Sequence, residues 1–403
     1  MRVKRRLVRA GLGLGAVLLG LVVANWAAGR YLPAPGLLFR TDPELVFAPI
    51  PGARRVLAVD SGEGTTVATE IDALGFRGAE VAASKRGYRV AVYGDSLVMA
   101  GTTPIEATFV ERLGAHLRST GFEVEVVNAG ATGYGPDQEC LRLEREIGIL
   151  APDLVVVVLC AHNDHGDLVR NKLFRLDVAG HLVANRWSLH PDLAADFTAM
   201  EHAARRPALL RVLDGIRERK AERERLAAAK GRKPPYVQWY LRASEDEYAE
   251  FVVEKDDRVR SVFADYYDAD VAITPESPSA VFKVRLMGAV LERLAANCHE
   301  RSVPLFAVVV PSAVDLCPEY EIHVDPAEWP TWDPDRLCRS IDEILDRQEV
   351  PRLDLTQAFR EAGSCALFES SGDFHWSAQG QELAARLASE SIARAGLGPA
   401  ARK

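Results

Sequence analysis

Short apolar runs alternating with amphipathic segments predict an α/β domain built on a parallel sheet. Five runs read as buried strands: Tyr88 to Tyr93, Val124 to Val127, Leu154 to Leu159, Pro304 to Val310 and the weaker Arg352 to Leu355. They are mostly apolar, as strands covered by helices on both sides are. Between them, Thr108 to Arg118, Asp137 to Ile149 and Val284 to Ala296 space their apolar residues as helices do, and Ala378 to Ala393 closes the series. Strand, helix, strand in succession implies right-handed crossovers, with helices on both faces of the sheet.

The chain has 403 residues, 48% hydrophobic and 26% charged, which suits one large domain with additions or two domains. A formal net charge of -8 argues against a general nucleic-acid-binding surface. The N-terminal residues stand apart. Arg2, Lys4, Arg5, Arg6 and Arg9 form a basic head (residues 1–9) before an uncharged stretch over 10–28. That stretch is long enough to cross a hydrocarbon core of ~30 Å as a helix. The charge bias keeps the head in the cytoplasm and sends the remainder to the other side, with Trp26 and Tyr31 at the outer interface. A cleaved signal peptide is the competing reading, although Asn25-Trp26-Ala27-Ala28 fits the small-x-small rule poorly. Export follows from either.

Residues 33–87, with Pro35, Pro43, Pro49 and Pro51 and then Leu74-Gly75-Phe76-Arg77-Gly78, form an accessory region beside the main domain over 88–397. An insert over 165–280 separates the third strand from the fourth. It far exceeds the ~15 residues of a plain loop, so it carries structure of its own. Glu201 to Lys233 mixes acids and bases with Ala and Leu, the pattern of a solvated helix. Such an insert is either a substrate-selecting cap or a helical decoration. The six cysteines are Cys140, Cys160, Cys298, Cys317, Cys338 and Cys365; none forms a CxxC pair, which leaves a zinc ribbon or redox motif unsupported. Cys160 ends an apolar run as a core residue, and one bridge is expected among Cys317, Cys338 and Cys365.

Four segments at strand ends carry chemistry. Gly94-Asp95-Ser96 turns a strand into a helix and lifts a serine clear of the sheet's carboxyl edge, where open α/β sheets place ligands. A plain turn with Ser96 as helix cap is the alternative. Asn128-Ala129-Gly130-Ala131-Thr132-Gly133-Tyr134-Gly135 follows the second strand and lets backbone N–H groups approach a ligand. Cys160-Ala161-His162-Asn163-Asp164 follows the third; the Asn163 amide suits an oxyanion, while His162, His165 and Asp167 raise a metal-site alternative. Ser371-Gly372-Asp373-Phe374-His375-Trp376-Ser377 precedes the last helix, with Ser377 as its N-cap. There His375 can take a serine's proton and Asp373 can orient the imidazole.

In this order of motifs the chain resembles the SGNH (GDSL-like) hydrolase family, over about residues 88–164 and 300–395. The resemblance implies a flavodoxin-like three-layer α/β/α domain with a parallel, roughly five-stranded sheet, interrupted by a long, mainly helical insert. Carried over, Ser96 is the nucleophile, Asn163 the side-chain oxyanion donor and His375 the base, with Asp373 beside it. Gly133 becomes the backbone donor, because the family's glycine stands five residues after the loop asparagine, here Asn128. Two positions depart from the pattern: Ala161 replaces the glycine of Gly-x-Asn-Asp, and Gly372 stands where the family's acid commonly lies. The Asp-x-His-Trp form is similar to that of exported relatives acting on polysaccharides, alginate O-acetyltransferases among them. The expectation is a membrane-anchored serine esterase cleaving acyl, above all acetyl, esters of an envelope or secreted polysaccharide. Its partner is an acylated carbohydrate, with no cofactor, metal or nucleic acid. A polysaccharide O-acetyltransferase with the same site and a catalytically silent carbohydrate-binding scaffold are the alternatives.

Overall fold

In the computed structural model the strands β1 (Tyr88–Gly94), β2 (Val124–Gly130), β3 (Leu154–Cys160), β4 (Leu305–Val310) and β5 (Arg352–Asp354) form one parallel sheet in the order β5-β4-β3-β1-β2. This is the flavodoxin-like order, and β1 and β3 flank its topological switch point. Every residue of β1 and β3 is buried, which is why β3 and, but for Arg89, β1 read as apolar runs. The structure describes residues 2–32, 36–58, 66–82, 84–229, 237–370 and 373–402. Pro35, Lys233, Ser371 and Gly372 lie outside the described residues.

Helices cover both faces. After β1 come the short α1 (Ser96–Met99) and α2 (Phe109–Arg118); α3 (Pro136–Leu150) follows β2, and α4 (Asp164–Asn171) follows β3. Then α5 (Pro278–Glu300) precedes β4, and α6 (Arg336–Arg347) precedes β5. A two-stranded antiparallel hairpin, β6 (Phe368–Ser370) and β7 (Asp373–Trp376), leads into α7 (Ala378–Arg394). Helix α2 packs with α7, while α3, α4 and α6 pack around α5.

The predicted elements recur with small shifts at their ends. Thr108 accepts from Glu111 N and so caps α2 instead of lying inside it. Helix α5 starts six residues earlier than the apolar spacing suggests. Ser277 accepts from Ala280 N and Pro278 occupies the first turn, two strong start signals for a helix. Ser377 caps α7 through Gly380 N.

The region before β1 holds two antiparallel strand pairs, Phe39–Asp42 with Val46–Pro49 and Arg54–Ala58 with Thr66–Glu70. The insert is mainly helical, with helices at Pro191–Ala204, Ala208–Ala229, Val237–Tyr248 and Ala269–Ile273, besides two short strand pairs. The charge-rich stretch from Glu201 therefore spans two helices, broken before Pro207, which cannot donate to a preceding turn. An N-terminal helix covers Arg2–Tyr31, and its part Gly11–Tyr31 is apolar and long enough to cross a membrane by length and composition. Its C-terminal end meets the insert: Ala28 packs on Ala208 and Val212, and Asn25 Oδ1 accepts from Leu209 N at 3.2 Å.

Candidate active site

The Gly94-Asp95-Ser96 turn is locked from several sides. Asp95, not Ser96, caps α1, its Oδ1 accepting from Leu97 N at 2.8 Å. Gly94 has no room for a side chain, since a Cβ there would lie 2.3 Å from Val98 Cγ2. A Cβ on Gly130 would likewise meet Met99 N at 2.3 Å. Asn128 reaches across from β2, donating to Val98 O at 2.8 Å, and its Oδ1 accepts from Gly130 N at 3.0 Å. Arg77, from the accessory region, donates to Met99 O, to Ala100 O (2.6 Å) and to Thr103 O (2.7 Å), closing the end of α1. Ser96 is left with 6% of its surface accessible at the switch point. Asn128 and Arg77 were not singled out for this duty by sequence, because the carbonyls they hold are 22 to 30 residues away along the chain.

The hairpin brings His375 to this turn, as β7 packs directly on α1. His375 Nδ1 bonds Asp373 Oδ1 at 2.6 Å, and the same oxygen accepts from His375 N at 2.9 Å. The Asp373 bond thus engages Nδ1 and not Nε2. Burial disfavours the imidazolium, but the bonded Asp373 carboxylate, with the charges of Asp95 and Asp265, outweighs it and holds the His375 pKa above its ordinary value. Conversely, although burial opposes it, the His375 bond and charge hold Asp373 below the usual carboxylate range.

Asn163, 1% exposed, follows β3 on the other side of the switch point. Its Nδ2 donates to Asp167 Oδ2 at 2.8 Å, which uses one N–H and leaves the second for a ligand. Gly133 adopts φ +79°, a conformation that side chains rarely tolerate. Over it lie the Val262 carbonyl and the Phe263 ring, 2.3 and 2.8 Å from where a Cβ would be. Ala161 fits where a glycine was expected, fully buried with its N–H donating to Val310 O at 2.9 Å.

The metal-site alternative on His162, His165 and Asp167 does not hold, since the three side chains have separate partners. His162 Nδ1 meets Ser312 Oγ at 2.8 Å, His165 Nε2 meets Ser340 Oγ at 3.3 Å, and Asp167 pairs with Arg170 at 2.7 Å. Among the described residues, no group of three or more His, Cys, Asp or Glu side chains is arranged to hold a metal ion. His162 instead supports the hairpin. Its ring stacks on Phe374 (4.3 Å, 11°), which stacks on His375 (4.7 Å, 21°). Burial, then the charges of His375 and Arg170, push its pKa down to about 3, so it stays neutral. The expected late bridge joins Cys317 to Cys365; Cys140, Cys160, Cys298 and Cys338 are free and buried.

No family model and no curated protein matches the chain. Solved structures do. A lipase/acylhydrolase from Enterococcus faecalis is 15% identical, with 77% of this chain and 96% of that one covered and a TM-score of 0.35. A catalytic mutant of an acetylxylan esterase from Geobacillus stearothermophilus is 14% identical over 77% and 96% of the two chains, with a TM-score of 0.39. A putative GDSL-like lipase from Parabacteroides merdae is 10% identical over 77% and 97%, with a TM-score of 0.37. At these values the likeness decides nothing about activity, which has to be read from this chain's own side chains.

Proposed function

We propose that this protein is a membrane-anchored, exported serine esterase that cleaves short acyl esters, acetyl first among them. The observation that carries the reading is the Asp373–His375 pair, bonded at 2.6 Å on a hairpin packed against the helix that begins at Ser96. Ser96 Oγ attacks the ester carbonyl while His375 Nε2 takes its proton. The Ser96, Gly133 and Asn163 N–H groups are assigned to the oxyanion of the tetrahedral intermediate. Collapse releases the alcohol, protonated by His375, and leaves acyl-Ser96. Water, deprotonated by His375, then attacks the acyl carbon, and a carboxylic acid leaves as Ser96 regains its proton. None of these steps calls for a cofactor.

Two features support export. Gly11–Tyr31 has the length and apolarity of a spanning helix or a signal sequence, and the Cys317–Cys365 disulfide belongs to an oxidising compartment. The test of the reading is intact-mass spectrometry after a fluorophosphonate probe. One adduct is expected, lost in Ser96→Ala; an adduct that survives this substitution overturns the assignment. Product analysis on an acetylated sugar with and without a second sugar hydroxyl then separates hydrolysis from O-acetyl transfer.

A further inference from the structure

The insert carries an aromatic group, on and next to the segment that crosses the candidate site, that the esterase reaction itself does not require. Trp239 and Tyr240 come from the helix Val237–Tyr248, and Tyr266 from the segment before Ala269–Ile273. Trp239 meets Tyr266 and Tyr240 edge to face, each with centroids 5.0 Å apart, and Tyr240 and Tyr266 lie 6.1 Å apart at 68°. These contacts fix the ring planes, yet Trp239 keeps 47% of its surface open. Exposed rings rimmed by polar groups mark a binding groove more often than a packing defect.

The segment that carries Tyr266 is fastened across the site. Asp268 N donates to His162 O at 2.8 Å, and Asp268 Oδ2 accepts from Gly166 N at 3.1 Å. Lys283, fully buried, pairs with Asp268 at 3.0 Å and Asp270 at 2.9 Å. Arg170 lies over the Tyr266 ring at 5.4 Å while donating to Asn163 O at 3.3 Å. The same segment reaches the site's own residues, because Val262 O and Phe263 cover Gly133, and His162, whose carbonyl Asp268 N bonds, stacks on Phe374 beside His375. The carboxylates of Asp265, Glu321 and Glu369 are exposed; Asp265 adjoins Tyr266 in the chain, Glu321 acts by charge on Tyr240, and Asp265 and Glu369 each feel the His375 charge.

We propose that Trp239, Tyr240 and Tyr266 form a glycosyl subsite, in which an uncharged sugar ring stacks while its ester reaches Ser96. This rests on the esterase reading for the position of the ester. A pyranose offers an apolar C–H face to an aromatic ring, and its hydroxyls donate to carboxylates at the ring edge. A fatty acyl chain fits the same place badly, since it would strip water from three carboxylates without returning a hydrogen bond. A uronate ring is repelled by the same charges, so the subsite selects neutral sugars over acidic ones.

The test uses the full chain in detergent. Isothermal titration of Ser96→Ala with cellohexaose should give saturable binding. Adding Trp239→Ala should raise Kd at least tenfold, whereas Trp239→Phe, which keeps a ring, should raise it less than threefold. Asp265→Asn should strengthen binding of hexagalacturonate, which the unaltered rim rejects. With Ser96 restored, Trp239→Ala should lower kcat/KM on acetylated cellohexaose at least tenfold more than on 4-nitrophenyl acetate. An unchanged Kd, or equal losses on both esters, overturns the subsite. If no ester is hydrolysed, the esterase reading fails while the cellohexaose titration still judges the platform on its own.

Discussion

Asp373 stands two residues before His375, where the resembling family commonly has three, and the backbone explains how the shorter spacing works. Residues 373–376 form a strand, in which positions i and i+2 share a face. The carboxylate and imidazole therefore point to the same side and bond at 2.6 Å; a turn would need another residue to do this. Asp373→Asn should cut kcat on an activated ester by about 10⁴-fold, by favouring the wrong imidazole tautomer, with little change in melting temperature. His375→Ala should fall as far. Near-normal turnover in Asp373→Asn beside a dead His375→Ala would leave a Ser-His dyad. Asp265 acts on the same imidazole from the insert, by charge alone. The base works only when neutral, and nearby carboxylates hold its proton on, so kcat/KM should rise with pH through a pKa above the ordinary ~6.5. Asp265→Asn removes one stabilising charge, so its acid limb should move to lower pH; an unmoved limb would detach Asp265 from the site.

At the scale of elements, the five strands and the helices α2, α3, α5 and α7 were legible in local periodicity, whereas α4, α6 and the β6–β7 hairpin were not read from the sequence. What stayed illegible is held together over distance. Nothing in Leu74-Gly75-Phe76-Arg77-Gly78 announces that Arg77 will close α1, and nothing in Phe374 announces a stack between two histidines. The insert's length was evident but the crossing of Gly133 by Val262 and Phe263 was not, since that needs the fold first. The bridge was narrowed to three cysteines, and the pairing Cys317–Cys365 follows from where the β6–β7 hairpin docks: Ser364, next to Cys365, donates to Leu316 O at 2.6 Å. The bridge closes a loop across a sequence separation of 48, worth about 4 kcal/mol in the loop-entropy account. Reduction, or Cys317→Ser with Cys365→Ser, should therefore lower the melting temperature by several degrees. Turnover should fall as well, because the hairpin that presents His375 loses its anchor. A melting curve indifferent to reductant would show that the hairpin is held by packing alone.

For the whole molecule, a set of buried acids around the Gly94-Asp95-Ser96 turn has a consequence for stability. Asp95, Asp137, Glu139, Asp164 and Asp167 are all buried and act on one another by charge. Oxygens of Asp95, Asp137 and Asp164 and both oxygens of Glu139 lack hydrogen-bond partners. Burial pushes the Asp137 pKa to about 7 and, with neighbouring carboxylates adding to the rise, lifts Glu139 and Asp164 well above their ordinary values, while at Asp167 the bonded Arg170 opposes the rise that burial causes. The folded chain thus keeps protons that the unfolded chain releases near ~4. Where the native state binds more protons than the unfolded one, stability falls as pH rises. His162 and His165 oppose this, since both are held neutral in the fold; their contribution is complete above the unfolded value of ~6.5 and is lost only as pH falls below it. Above about pH 6.5, then, the carboxylates act unopposed, and His375, with its raised pKa, acts in the same direction. The melting temperature should drop between about pH 6.5 and 8.5. Glu139→Gln keeps the shape and cannot ionise, so it should melt higher at the alkaline end and show a shallower slope. A melting temperature that is flat or rising over that interval would mean these acids are ionised in the fold. A Glu139→Gln slope equal to that of the unaltered chain would move the effect to the other four.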